Sequence, residues 1–130
     1  MPSDLSLSAA LLRNCAASAQ VNEYLVERLD PAVWRAKPPA PKMRTIAAVR
    51  ALAAKRRALL AVLQPALERG VRVGHSKQHP VEFLTYYMVH DGHHRGQILL
   101  QARLLGYPIS TETMSGMWLW TSRLKSSGAA

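Results

Sequence analysis

Cysteine and phenylalanine are each present once in these 130 residues, as Cys15 and Phe83. A lone cysteine cannot close an internal disulfide, so a reducing cytoplasm is the expected compartment. Nowhere does an uncharged apolar run approach the ~20 residues that a membrane span needs. Asp4, Arg13 and Asn14 interrupt the N-terminal region, and no basic segment leads into a long apolar core there. No signal peptide is expected. Strand-type alternation is missing, and so is any internal repeat. What remains is 48% hydrophobic, enough for one domain over residues 1–130 with a real core.

Acidic side chains are scarce as well, 8 against 17 Lys and Arg, for a formal net charge of +9. Between Asp30 and Glu68 there are none, whereas Arg35, Lys37, Lys42, Arg44, Arg50, Lys55, Arg56 and Arg57 all fall there. Such a stretch suits nucleic acid, anionic lipid or an acidic small molecule, and equally a solvated helix surface. Charge alone carries no specificity, and no helix-turn-helix, zinc-finger or RNA-binding pattern accompanies it.

The apolar spacing is helical throughout. Ser3 or Asp4 is expected to cap a first helix running to about Leu29, with Leu12, Cys15, Ala16, Ala19, Val26 and Leu29 inward. Asp30-Pro31 reads as the cap and first residue of a short turn through Trp34. Pro38-Pro39-Ala40-Pro41 must be extended. Thr45 then opens a helix with Ile46, Val49, Leu52, Ala53, Leu59, Leu60 and Leu63 inward, closed by Pro65 and Gly70. Pro80 starts a third long helix that stops at Gly106. A short helix over about Thr111 to Lys125 carries Trp118 and Trp120. Three long helices and one short one predict an all-α bundle whose remaining apolar face a partner subunit covers.

The segment His90-Asp91-Gly92-His93-His94-Arg95-Gly96-Gln97 carries the chemistry. His90 and His94 stand four apart, on one helix face, and can reach one metal ion. Phe83, Tyr87, His90, His94, Ile98, Ala102 and Leu105 share three-four spacing, which places both imidazoles in the apolar seam. His93, three residues from His90, points away from that line. A buried imidazole needs its nitrogens bonded, either to a metal or to nearby polar groups. Gly92 and Gly96 each cost ~1 kcal/mol inside a helix relative to Ala, so a close approach by backbone or ligand is expected there. No Glu follows the first histidine, which excludes a zinc-protease motif. Cys15 reads as core rather than nucleophile.

His90 to Gln97 with Ile98-Leu99-Leu100 and Leu105-Gly106-Tyr107-Pro108 resembles the hallmark of the DinB-like family of metal-dependent helical-bundle proteins. Pro80 to Tyr87, Gly116-Met117-Trp118-Leu119-Trp120, Val21 to Leu25 and Arg44 to Ala48 match the same family. The resemblance implies an up-down bundle, usually dimeric, with a divalent ion held by three histidines. Two of those would be His90 and His94. It also implies, for some relatives, transfer or isomerisation with low-molecular-weight thiols. The histidine expected on helix two is absent: Leu52 takes its place, or a helix-sized segment is missing between Val49 and Arg50 and two family helices are fused.

Three readings stay open. A two-histidine site for zinc or nickel can be completed by His75, His79, Asp91, Glu112, a partner's carboxylate or water, with Asp91 or Gln97 orienting a ligand and a small molecule as substrate. Alternatively the chain is a non-catalytic homodimeric bundle with structural histidines. The third reading is a basic module for nucleic acid or another anion.

Overall fold

A computed structural model describes residues 6–73 and 77–127, apart from the side chains of residues 52–54, 56 and 57. All regular structure among these residues is helical. The helices are α1 (Leu7–Arg28), α2 (Ile46–Ala54), α3 (Arg56–Arg69), α4 (Pro80–Leu104), α5 (Thr111–Met117) and α6 (Trp120–Ser127), with a 3-10 turn at Pro31–Arg35.

The punctuation is local chemistry. Asp30 Oδ1 accepts from Ala32 N at 2.9 Å, ahead of Pro31. Thr45 Oγ1 accepts from Ala48 N at 3.2 Å at the start of α2. His79 caps α4 through a reciprocal capping box: its Nδ1 accepts from Val81 N, and Glu82 accepts from His79 N. Gly70 and Gly106 take left-handed φ of 63° and 86°. Each sits in a Schellman ending, with Val71 N donating to Ala66 O and Tyr107 N to Ala102 O.

Several expectations fail. Ser6 caps α1 through Ala9 N, whereas Ser3 and Asp4 lie outside the described residues. The inward stripe of α1 is rotated and includes Ser18 and Asn22 beside Cys15, Val21 and Leu25, leaving Leu12, Ala16 and Val26 half-buried. The long second helix is two helices, because Lys55, with ψ of −8°, interrupts the ladder between α2 and α3. Pro65 does not end α3, which continues to Arg69. The last helix is also divided, at Trp118 and Leu119, into α5 and α6. The inventory is therefore two long helices, one of 14 residues and three short ones.

α1 is the hub, packing against α3, α4, α5 and α6. One apolar cluster joins Val21, Leu25, Leu29, Val33, Ile46, Val49, Ile98, Ala102 and Met117, and a second joins Cys15, Leu63, Leu67 and Leu84. Each fully buried Leu or Val side chain contributes roughly 1.5–3 kcal/mol through its removal from water. α4 runs past both clusters, and its polar middle, residues 90–97, lies between them. No helix among the described residues is long and apolar enough to cross a membrane.

Candidate functional site

Sequence spacing puts Leu84, Asp91, His94, Ile98 and Gln101 on the buried side of α4. His90 is only half-buried, so the seam runs through Asp91 where the periodicity suggested His90. The two faces around His94 differ in chemistry.

Toward α1 the polar groups are tied together. Arg95 donates from Nη1 to Asn22 Oδ1 at 2.8 Å and to Ser18 Oγ at 3.3 Å, and Asn22 Nδ2 donates to Asp91 Oδ2 at 3.3 Å. Burial lowers the Arg95 pKa, and the Asp91 carboxylate opposes that shift. Burial, followed by the Asp91 charge, pushes the nearby Cys15 thiol up to about 11. A thiol held neutral in this way is no nucleophile at ordinary pH.

On the other side lies an open cleft of about 400 Å³, lined by Lys42, Met43, Arg44, His90, His93, His94, Gln97 and Gln101. Its size falls within the range of small-molecule sites. The His90 and His94 rings meet edge to face with centroids 4.2 Å apart, and Tyr86 stacks on His90 at 5.6 Å. His94 Nδ1 and Gln97 Oε1 are 2.9 Å apart. In the neutral tautomer that donates from Nδ1 to this carbonyl, the lone pair lies on Nε2. His94 Nε2 is buried with no hydrogen-bond partner, and Gln101 Oε1 is in the same condition. Each is sealed from solvent, so a ligand reaches it only when side chains at the cleft floor readjust.

The opposite rim is built by the proline-rich segment. Met43 N donates to Ala40 O at 3.3 Å around Pro41 and Lys42, and Lys42 has φ of 67°. This is a type II turn with lysine where glycine is normally required. A side chain in that left-handed position costs about 1 kcal/mol.

The proposed ligands separate in space. His90, His93 and His94 all border the cleft, although His93 is exposed. Asp91 faces Asn22 on α1. His79 is consumed as the α4 cap, Glu112 lies exposed in the first turn of α5, and His75 falls outside the described residues. Among the described residues, no group of three or more His, Cys, Asp or Glu is placed to hold an ion together. No neighbouring backbone comes close to Gly92 or Gly96: a methyl at Gly96 would meet no protein atom, and at Gly92 only the Arg95 side chain. The glycine with a tight neighbour is Gly116, where a Cβ would collide with the Tyr24 hydroxyl and ring.

Sequence reasoning did not find the roles of Lys42, Arg44 and Gln101. Lysine in a Pro-Lys turn was the available signal for the first. Of the other basic residues of the acid-free stretch, Arg50 lies over the Trp34 ring at 4.4 Å, Arg35, Lys37 and Lys55 are exposed, and the side chains of Arg56 and Arg57 lie outside the described residues.

No curated protein and no solved structure matches this chain. The DinB family model matches residues 64–120, from the middle of α3 through all of α4 to the start of α6, a span that includes every histidine of the cleft. Over those residues the chain is similar to the DinB family.

Proposed function

We propose that this DinB-like chain binds a divalent ion, zinc or nickel, through His90 and His94. The observation that carries this reading is His94: its ring is oriented by Gln97, and its Nε2 lone pair has no protein partner. A histidine that donates its other nitrogen to a carbonyl is the usual arrangement of a metal-ligating imidazole. His90, one helical turn away and in ring contact, is the second donor. The donor set is two short of a closed site, which leaves positions for water, a thiolate or an oxygen ligand. When bound, such an ion supplies Lewis acidity, polarising an oxygen or lowering a thiol's pKa. Gln97 would fix the tautomer of His94, and Tyr86 would hold the plane of His90.

Metal analysis on tag-free protein, with and without added zinc or nickel, tests this reading. About one ion per chain is expected, falling toward zero in His94→Ala. A wild-type content near zero after loading would favour histidines that are only structural.

We also propose that the helices form an up-down bundle completed by a second copy. Leu100, Leu104, Trp118 and Leu119 are each more than half exposed, and Leu100 lines a shallow groove with Leu99, Arg103, Ile109 and Met114. Large apolar side chains left exposed in this way favour burial by a partner. Sedimentation at micromolar concentration should give a dimer; a monomer would refute it.

A further inference from the structure

We infer that the cleft over His94 is a binding site for a small hydroxylated oxyanion, a carboxylate or phosphate, recognised through Lys42 and Arg44. The lining contains two cations, three histidines and two glutamines, and no carboxylate. Such a wall attracts anions. Lys42 is held at the rim by a turn that disfavours any side chain at its position. Glycine would satisfy the backbone there, so the turn alone does not explain a lysine. Arg44, two residues on, adds a planar fork suited to two oxygens of one carboxylate or phosphate.

A second, independent observation lies across the cleft. Gln101 is 2% exposed and His94 8% exposed, and each presents a buried acceptor atom without a donor. Buried acceptors of this kind normally find partners. A hydroxyl on the anion is a donor that either atom can accept. The cations take the charged end of the ligand, and the floor takes its hydroxyl. Reaching either acceptor requires the side chains at the cleft floor to readjust.

This site shares the cleft with the metal reading and stands without it, so the test is run in EDTA. Calorimetric titration at fixed ionic strength uses L-malate, succinate and inorganic phosphate as probes. Malate should bind the wild type several-fold more tightly than succinate, which lacks the hydroxyl. The double variant Lys42→Gly with Arg44→Gln should lose at least tenfold in malate affinity, while Arg69→Gln, on the exposed side of α3, should not. Lys42→Gly alone should keep or raise the thermal midpoint, which separates loss of a ligand contact from loss of fold. Phosphate binding in place of malate, abolished by the same double variant, supports the site and assigns the oxyanion to phosphate. Binding of neither malate nor phosphate by the wild type, equal affinity of wild type and double variant for the probe that binds, or malate bound no tighter than succinate where malate is that probe, overturns the inference.

Discussion

α4 presents polar side chains in two directions within about three turns, and the protein treats them in opposite ways. On the α1 side, Asp91 and Arg95 are engaged with Asn22 and Ser18. On the cleft side, His94 and Gln101 keep acceptors without partners. Burial of polarity is costly on both sides, but only the first recovers the cost through hydrogen bonds within the chain. The first face therefore fixes how α1 and α4 register. The second is paid for elsewhere in the fold, which is how binding sites are commonly maintained.

The sharpest way to break this contrast is to remove Arg95. Arg95→Leu should destabilise by roughly 3 kcal/mol in urea unfolding, because it strips donors from Asn22 and Ser18 and a counter-charge from Asp91. A loss below about 1 kcal/mol would show that the α1 side does not hold the bundle. Gly116→Ala follows at about 2 kcal/mol, since the Tyr24 ring it would strike is flanked by Arg28 at 3.5 Å and Arg123 at 4.8 Å. Thermal unfolding measures it, and Tyr24→Ala in the same background should recover part of the loss.

The cleft side should behave differently. Gln101→Met keeps volume and removes an unpartnered acceptor, so stability should stay within about 1 kcal/mol of wild type or rise. A large loss would mean that Gln101 is structural and would erase the contrast.

The smallest effect concerns Cys15. Its thiol is raised from 9.0 to about 11, so the fold prefers the protonated form. That preference contributes stability in full below pH 9 and loses it as pH climbs toward about 11. Unfolding midpoints of wild type should fall more steeply over that window than those of Cys15→Ala. At pH 8 a thiol reagent should label Cys15 only after denaturation.

Much of this was legible from sequence because it depends on neighbours in the chain. Asp30-Pro31, Thr45, Pro80, Gly70 and Gly106 act within a few residues, and each boundary they mark is present. The histidine pair was legible for the same reason, as was the all-helical class. The break at Lys55 was not, because nothing in Ala53-Ala54-Lys55-Arg56 disfavours helix. Ser18 and Asn22 were absent from the inward stripe read for α1 because apolar periodicity cannot register polar residues that are buried against a partner from α4. Lys42 and Arg44 reach the cleft from some fifty residues away in sequence, a distance only the tertiary fold closes.

The embrace of Tyr24 by Gly116 and Arg123, with Gln20 bonded to Ser126 and Ser127, joins the first helix to the last. Such contacts have the greatest sequence separation in the molecule, and so the highest cost in loop closure. During synthesis, α1 would emerge with one flank bare and keep it bare until α6 had cleared the ribosome. The flank that carries Gln20 and Tyr24 would wait in the open for that interval, a window in which uncovered surface is prone to aggregate.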